Sequence, residues 1–414
     1  MYNAAISLSG GVDSAAAALL LQADGIRPVG IYLRHSFQPT LTPEEEAHFF
    51  AENGPAAHGD VYTPTPAGGF ERTDLHAGLF RLPRAAADAY RVAAALDIPF
   101  CVFDAEPLFR RVTSDFVTRY LEGQTPNPCV LCNRTIKFGA LIELAESLGA
   151  RRFATGHYAL RMTKKDWLEK NSQDDIPQTN LLRDVADDTP LLVDSGNVKD
   201  QSYFLWGINR QILPRLLFPV GALDKSEVRR IAAAQQLPIT SGGESQDLCF
   251  VPNGKTADFI RQHGDGRGTA GRFVSLDGTV LGQHTGYEKF TVGQRKGLGT
   301  GFGERIFVQR IDAETRSVVL GPSEALARTE VVARNANWLL DVPQDQPFRC
   351  EVKIRCRSRS VPACVTVSSD GMIHARLDEP RTGIAPGQSL VCRLEGVLLG
   401  GGVIQSTEGC PAFP

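Results

Sequence analysis

The first twenty residues constrain the fold of this chain more than any other stretch. A short apolar run, Ala4-Ala5-Ile6-Ser7-Leu8, leads into Ser9-Gly10-Gly11-Val12-Asp13-Ser14, and an Ala/Leu run with high helix propensity covers 15–21. Glycines let the backbone approach an anion closely, and free N–H groups at a helix start bind it. The stretch predicts a strand, a phosphate-binding loop and a helix. The simpler alternative is a tight turn that uses glycine for geometry alone.

Asp13 is unexpected in a phosphate loop, because a carboxylate repels phosphate. It suits a helix cap, or a Mg²⁺ ligand between the protein and the phosphates. The loop lacks the Gly-x4-Gly-Lys-Ser/Thr pattern of a Walker A motif. Ser-Gly-Gly-x-Asp-Ser instead resembles the PP-loop of the ATP pyrophosphatases, which activate a carbonyl oxygen by adenylation and release pyrophosphate.

Alternating apolar and helical patterns after the loop predict an α/β fold with a doubly wound parallel sheet. The predicted strands cover 28–33, 98–103 and 152–155, and the predicted helices cover 84–96, 108–121, 136–148 and 225–236. Ligands of such sheets bind beyond the carboxyl ends of the strands. We therefore expect Ser9–Ser14, Leu33 and Gly156-His157 to meet at one edge. We expect residues 36–80 to form an irregular excursion from the sheet, with a helical start at 42–46, and residues 161–198 to form an extended hairpin.

The composition changes near Gly266, where helical patterns nearly vanish and short alternating runs rich in Gly, Val and Arg begin. We expect two small β-rich domains here, the last one a β-barrel. The predicted division is a PP-loop ATP-binding catalytic domain over 1–252, a central β-rich domain over 253–322 and the barrel over 323–414.

Charge and cysteine content narrow the class of protein. The chain has 414 residues and a formal net charge of −3, so a nucleic acid would have to be bound by local basic patches. The first strand begins at once and no run approaches about 18 uncharged apolar residues, which predicts neither a signal peptide nor a membrane span. Nine scattered cysteines do not form a secreted disulfide framework. We expect a cytoplasmic monomer with a few chemically used thiols.

Cys129 and Cys132 form a Cys-x-x-Cys pair after a Pro-Asn-Pro turn and close to a helix start. The helix dipole, with Arg134 and Lys137, would lower a thiol pKa there. A structural zinc site needs four ligands, and the chain has no second such pair. A surface pair without a role is the other simple interpretation. Redox or sulfur-transfer chemistry needs a nucleophilic thiolate and a resolving partner.

Several blocks resemble the tRNA-specific 2-thiouridylase family, in family order and across almost the whole chain. Beside the PP-loop they are Thr125 to Phe138, Gly156 to Ala159, Lys199 to Leu205, Ser245 to Phe250, Thr291 to Leu298, Pro386 to Gln388 and Leu399 to Ile404. Each block alone is a weak signal, whereas their number and order together are specific.

The resemblance implies an enzyme, a tRNA-uridine 2-sulfurtransferase. ATP, with Mg²⁺ as cofactor, would adenylate the C2 oxygen of the wobble uridine, and a persulfide sulfur would displace AMP to leave 2-thiouridine. Cys249 matches the family cysteine that carries the persulfide, and Cys132 matches the nucleophile that resolves the disulfide. They lie far apart in sequence, so a loop has to bring Cys249 to Cys132. The implied partners are tRNA and a sulfur-donor or persulfide-relay protein.

The resemblance also implies binding residues, some of them in a tRNA-contacting last domain. The ATP contacts carry over to Ser7, Leu8, Ser9, Gly10, Gly11, Val12, Asp13, Ser14, Leu33 and Gly156. The contacts to the target base and to tRNA carry over to Asn127, Pro128, Cys129, His157, Lys199, Asp200, Gln201, Arg355, Cys356 and Gln388. Leu33 stands where methionine is usual. Cys356 replaces the usual aromatic residue, which weakens the case for a stacked base there.

Two local basic sets, Arg295-Lys296 and 353–359, suit the phosphates of an anticodon loop. Cys129 stands where many family members have Asp, so Cys129, Cys132 and Cys249 could instead hold an iron–sulfur cluster, as in related PP-loop thiolases. That alternative changes the sulfur chemistry but not the substrate.

Two other classes of protein stay open at this point. One is a PP-loop ligase that adenylates a small carboxylate or ureido group and needs no active thiols. The other is a non-enzymatic RNA-binding protein with a relic nucleotide site, against which the intact Ser9–Ser14 loop argues.

Overall fold

The computed structural model of the protein describes residues 2–53, 59–75, 80–171, 180–239, 248–251, 254–298 and 305–405. Backbone proximity divides them into two compact units. The first comprises the described parts of 1–111, 131–173 and 186–250, and the second those of 112–130, 174–185 and 251–414. Ser245, Gln246 and Asp247, which belong to one of the family-like blocks, lie outside the described residues.

The predicted strand–loop–helix unit is confirmed, since strand β1 (Ala4–Ser7) leads into helix α1 (Val12–Ala23). The strands that follow are β2 (Pro28–Arg34), β3 (Asp60–Pro64), β4 (Phe70–Asp74), β5 (Phe100–Asp104), β6 (Arg152–Ala154), β7 (Leu160–Thr163), β8 (Pro190–Val193) and β9 (Leu216–Leu217). The helices that follow are α2 (Pro43–Asn53), α3 (Arg84–Ala95), α4 (Glu106–Leu121), α5 (Pro128–Cys132), α6 (Leu141–Ser147), α7 (Lys164–Lys170), α8 (Asn180–Arg183) and α9 (Lys225–Ala234).

Parallel pairing dominates the sheet of the first unit, whose strand order is β4-β3-β5-β2-β1-β6-β9. β1 lies between β2 and β6, with Ala4 opposite both Pro28 and Arg152. Because only β4 runs against its neighbour, the carboxyl ends of β1, β2 and β6 meet at one edge. The α/β class and the parallel sheet predicted from the sequence are confirmed.

Helix α1 packs against this sheet through alanines. Ala16, Ala17 and Ala18 are fully buried and cluster with Ile6 and Leu8. Because alanine ends at Cβ, the helix can approach the strands closely at native packing density. The start of α1 therefore lies directly at the end of β1.

The interpretation of 36–80 as an irregular excursion is wrong, although its predicted helical start is confirmed. Residues 43–53 form α2, and β3 and β4 form a hairpin that extends the sheet. Val61 of β3 is fully buried and lies opposite Val102 of β5. Strands of five residues within a Pro- and Gly-rich stretch show too little alternation to be recognised from the sequence.

The hairpin predicted within 161–198 is confirmed in part. β7 and β8 pair antiparallel, with Leu160 opposite Val193. Helix α7 follows β7, and a capping box between Thr163 and Asp166 fixes its start. Among the described residues, every helix is too short or too polar to cross a lipid bilayer.

The middle of the second unit is a small four-stranded sheet. Helix α10 (Thr256–His263) precedes strands β10 (Gly271–Ser275), β11 (Val280–His284), β12 (Phe307–Asp312) and β13 (Ser317–Gly321), in the order β11-β10-β13-β12. Phe273, Tyr287, Phe290 and Leu320 belong to its apolar core.

The last six strands form a closed antiparallel barrel, which confirms the predicted C-terminal fold. They are β14 (Arg328–Trp338), β15 (Phe348–Lys353), β16 (Val361–Val367), β17 (Ile373–Arg381), β18 (Ser389–Leu394) and β19 (Val397–Ile404). The order β14-β17-β16-β15-β18-β19 closes when β19 pairs with β14. A Cβ at Gly402 would lie 2.9 Å from the Arg334 carbonyl oxygen, so glycine lets β19 approach β14.

Candidate active site

The loop after β1 is shaped by its two serines. Ser14 Oγ accepts a hydrogen bond from Ser9 N at 3.1 Å and donates to the Gly11 carbonyl at 3.0 Å. Gly10 has a φ of +78°, and a Cβ there would lie 2.5 Å from the Ala85 carbonyl oxygen, so the position requires glycine. The loop thus curls over the start of α1, where the first N–H groups of the helix suit a phosphate.

Asp13 lies in the first turn of α1 and is bound by two side chains. Lys225 Nζ lies 2.7 Å from each carboxylate oxygen, and Tyr158 Oη donates to Oδ1 at 2.7 Å. The side chains of Lys225 and Asp13 are 16% and 32% exposed, so the ion pair is only partly screened by water. Lys225 thereby offsets the negative charge that would repel a phosphate at this loop.

This geometry corrects both expectations for Asp13. The cap interpretation is wrong, because Gly11 occupies the N-cap position and no side chain hydrogen bonds there. The residue does not fit a Mg²⁺ ligand either, since an ammonium group contacts both of its oxygens and would repel a cation. No residue of this chain is therefore assigned as a Mg²⁺ ligand.

The structure brings Gly156 to the loop. A Cβ at Gly156 would lie 2.9 Å from the backbone of both Asp13 and Ser14, so the segment after β6 abuts the start of α1. Leu33 lies near the carboxyl end of β2, at the same edge of the sheet, where Gln38 Nε2 donates to its carbonyl at 3.1 Å. The expected meeting of these three parts at one edge is confirmed.

His157 is packed against protein groups. Its Nδ1 lies 2.8 Å from Thr155 Oγ1, and its ring centroid lies 5.6 Å from that of Phe138. Burial, with the nearby Lys137 ammonium, lowers the pKa of His157 to about 3, so the ring is neutral. These contacts are those of a histidine packed at the end of a strand. Because Nδ1 is used by Thr155, a contact with tRNA would use the other ring nitrogen, Nε2.

The segment 199–201 is tied to the phosphate loop through Tyr158. Gln201 N donates to the Tyr158 carbonyl at 2.8 Å, and Gln201 Oε1 accepts from Tyr158 N at 3.0 Å. The Tyr158 hydroxyl in turn holds Asp13. The lysine of the segment is exposed, whereas its aspartate accepts hydrogen bonds within its own turn.

The helix that carries the Cys-x-x-Cys pair begins earlier than predicted. Pro128 starts α5, because the first helical position needs no N–H. A π-helical stretch over Asn133–Ala140 joins α5 to α6. Cys132 is buried at 8% exposure, and Cys129 is half-buried.

Cys249 is exposed, whereas its neighbour Phe250 is buried. The Phe250 ring lies 5.7 Å from the Phe109 ring, centroid to centroid. Protein groups close to the sulfur desolvate a thiolate and raise the pKa of Cys249, while the Lys137 ammonium acts in the opposite direction. Neither Cys249 nor Cys132 forms a disulfide bond in the described structure.

The cluster alternative gains no support from the structure. Cys129, Cys132 and Cys249 are all within the described ranges, and among those residues no three His, Cys, Asp or Glu side chains are placed to hold a metal ion.

In the second unit, Gln388 contacts protein backbone. Its Nε2 donates to the Thr125 carbonyl at 2.8 Å, and Thr125 N donates to the Pro386 carbonyl at 2.8 Å. Thr125 lies two residues before Asn127, in the segment expected to meet the target base. The sequence predicts Gln388 as a tRNA contact and gives no sign of this pairing.

Two basic loops of the second unit converge on Gly383. The exposed Arg355 guanidinium donates to the carbonyl of the residue before Gly383, and a Cβ at Gly293 would lie 3.0 Å from Gly383 Cα. Gly293 belongs to the loop that carries the exposed Arg295-Lys296. Cys356 is half-buried.

Sequence reasoning missed Lys225 and Tyr158. Lys225 is the first residue of α9 and follows the capping residue Asp224. A lysine is unfavourable at a helix N-terminus, because the helix dipole is positive there. Such a misplaced cation indicates an acidic partner elsewhere, which proves to be Asp13.

Three family models match the chain. The tRNA methyl transferase HUP domain matches residues 2–57 and 76–253, the tRNA methyl transferase PRC-barrel domain matches 257–322, and the aminomethyltransferase beta-barrel domain matches 328–404. The interval 58–75, which contains the β3–β4 hairpin, falls outside the first match.

Curated relatives named tRNA-specific 2-thiouridylase MnmA match over nearly the full length. The relative from Acidithiobacillus ferrooxidans is 37% identical over 408 residues, which are 98% of this chain and 99% of the relative. The relative from Chloroflexus aggregans is 37% identical over 410 residues, 99% of each chain, and that from Trichlorobacter lovleyi 36% over 408 residues, 98% of each. The chain belongs to the tRNA-specific 2-thiouridylase family.

Proposed function

We propose that this chain is a tRNA-uridine 2-sulfurtransferase, which uses ATP to form 2-thiouridine at the wobble position of tRNA. One observation carries the proposal: the first unit combines a phosphate loop whose aspartate is neutralised by Lys225 with two cysteines, Cys132 and Cys249, that are not joined in a disulfide bond. Relatives along the whole chain bear the name of this activity.

The first half-reaction activates the uridine. The triphosphate lies against the N–H groups at the start of α1, and the adenine lies towards Leu33 at the same sheet edge. The uridine C2 oxygen attacks the α-phosphorus, and pyrophosphate leaves. The contacts among Gly156, Tyr158 and Asp13 support this step, because they hold the loop in a shape open to phosphate.

The second half-reaction transfers sulfur. The terminal sulfur of a Cys249 persulfide attacks C2 and expels AMP, which leaves a disulfide bond between the base and Cys249. Cys132 then attacks the Cys249 sulfur, so that 2-thiouridine departs and a Cys132–Cys249 disulfide forms. A dithiol reductant returns both thiols, and a sulfur-donor or persulfide-relay protein reloads Cys249.

The tRNA contacts fall on both units. In the second unit we assign Asn127, Pro128 and Cys129 to the target base, and the basic loops that meet at Gly383 to anticodon-loop phosphates. In the first unit we assign the exposed Lys199 to a phosphate. Splayed anticodon bases suit an enzyme that has to reach the C2 oxygen.

Thiolation of tRNA in vitro tests this function. The protein is incubated with ATP, Mg²⁺, a persulfide donor that transfers sulfane sulfur to Cys249 and unmodified tRNA, and nucleosides are analysed by mass spectrometry. We expect 2-thiouridine from the wild type and none from Cys132→Ser. Cys364→Ser, which alters a free thiol in barrel strand β16, is the matched control and retains activity. Full activity of Cys132→Ser would overturn the mechanism.

A further inference from the structure

The turn 386–388 of the barrel hydrogen bonds to both the N–H and the carbonyl group of Thr125. The Thr125 N–H donates to the Pro386 carbonyl, and the Thr125 carbonyl accepts from Gln388 Nε2, each at 2.8 Å. All of these residues belong to the second unit. Both polar groups of one backbone residue are therefore satisfied by a single turn.

Gly387 makes these two hydrogen bonds sterically feasible. Its φ is +89°, which favours glycine, and a Cβ there would lie 3.0 Å from the carbonyl carbon and oxygen of Thr125. Any side chain would push Thr125 away from Gln388. The close approach of the two backbones is thus built into the sequence of the turn.

The turn is itself rigidly held. Gly387 N donates to the Ile404 carbonyl at 2.9 Å, and Ile404 N donates to the Gln388 carbonyl at 2.8 Å. β18 begins at the next residue, Ser389, which is buried. The barrel therefore offers Thr125 a fixed support.

We propose that Gln388 is a positioning residue, which holds the segment 125–129 in place for the target uridine through its hydrogen bond to the Thr125 carbonyl. This inference rests on the proposed function, since it assigns Asn127, Pro128 and Cys129 to the base. Gln388 is half-buried, and its Nε2 already donates to backbone. The loss of its donor therefore displaces the segment and slows the reaction while tRNA affinity is kept.

Two nearly isosteric variants test the role. Gln388→Met removes the donor, and Gln388→Glu replaces it with an acceptor that faces the Thr125 carbonyl. Gln309→Met is the matched control, because Gln309 Nε2 also donates to a backbone carbonyl, that of Pro322, at 2.8 Å in the middle of the second unit. Three quantities are measured: amide hydrogen exchange over 123–129 without tRNA, the Kd for tRNA, and the thiolation rate at saturating tRNA.

We expect both Gln388 variants to exchange the Thr125 amide about five- to tenfold faster and to thiolate about tenfold more slowly. Their Kd for tRNA is expected to stay within about twofold of the wild type, and Gln309→Met to match the wild type in all three readouts. A Kd weakened about tenfold with unchanged exchange would make Gln388 a direct tRNA contact and overturn the proposal. Unchanged exchange and rate would overturn it as well. If wild-type protein makes no 2-thiouridine, the proposed function fails, and the exchange measurement still decides whether Gln388 holds the segment.

Discussion

Lys225 Nζ lies 2.7 Å from both carboxylate oxygens of Asp13, although the two residues are 212 positions apart in the chain. The pair joins the start of α9 to the start of α1. The positive end of α1 stabilises the negative charge of Asp13, whereas the positive end of α9 does not stabilise the positive charge of Lys225. The charge that it supplies to the phosphate loop best explains a lysine at this unfavourable position.

Lys225→Met is expected to weaken ATP binding about tenfold, because an uncompensated carboxylate would then face the phosphates. Isothermal titration calorimetry with ATP measures the effect. Asp13→Asn in the Lys225→Met background removes that charge and is expected to recover part of the affinity. Lys165→Met, at a lysine 69% exposed, is the control and should bind ATP normally. Equal ATP affinity in wild type and Lys225→Met would refute this role.

Gly156→Ala is expected to lower ATP affinity about tenfold or more, since its methyl group would lie 2.9 Å from the backbone of Asp13 and Ser14. The loop has to shift to relieve this contact. Gly282→Ala is the matched control, because the nearest atom, in the Phe273 ring, lies 3.8 Å from a Cβ at that site. Tight ATP binding by Gly156→Ala would show that the loop tolerates the shift.

The thiol of Cys249 is expected to react slowly at neutral pH. Desolvation raises its pKa, so the reactive thiolate forms only as the pH rises past about 8.5, the ordinary value for cysteine. The rate of alkylation by iodoacetamide, followed on the Cys249 peptide by mass spectrometry, should therefore climb steadily from neutral to alkaline pH.

Lys137→Met should shift that pH profile further to the alkaline side, because the Lys137 ammonium lowers the pKa of Cys249. Lys137→Arg keeps the charge and should restore the wild-type curve. A rate that levels off below about pH 7.5 would contradict the raised pKa.

Val61→Ala is expected to lower the free energy of unfolding by about 2 kcal/mol, because Val61 in strand β3 of the hairpin is fully buried. Urea denaturation measures the change. Glu71→Ala, at an exposed position of β4, should alter it by less than about 0.5 kcal/mol. Equal effects of the two substitutions would mean that the hairpin, which lies outside the family model, does not share the core of the sheet.

Patterns of residue type predicted the parts of this molecule that are local in sequence. The unit of β1, loop and α1 follows from glycines and alanines that stand next to each other, and the order of strands and helices gives the parallel sheet. The β-rich C-terminal part also follows from local pattern, as in barrel strand β15, whose residues are buried and exposed in turn. β19 shows no such alternation, and its three consecutive glycines allow a close approach to β14.

The parts that were missed depend on contacts between distant residues. Nothing near Asp13 in sequence indicates that Lys225 and Tyr158 would hold its carboxylate, and nothing near Gln388 indicates Thr125. In both places a residue assigned to a ligand also hydrogen bonds to protein groups within the fold. Single-sequence reasoning finds the residue types that suit a ligand, but it cannot tell which of their polar atoms are already used within the fold.

A single-turnover experiment tests the central claim most directly. Protein loaded with one persulfide sulfur is mixed with ATP, Mg²⁺ and unmodified tRNA without reductant, and AMP, 2-thiouridine and disulfide-linked peptides are quantified together. The account predicts equal amounts of AMP, 2-thiouridine and a Cys132–Cys249 disulfide. 2-Thiouridine formed without AMP, or with both cysteines still reduced, would contradict it.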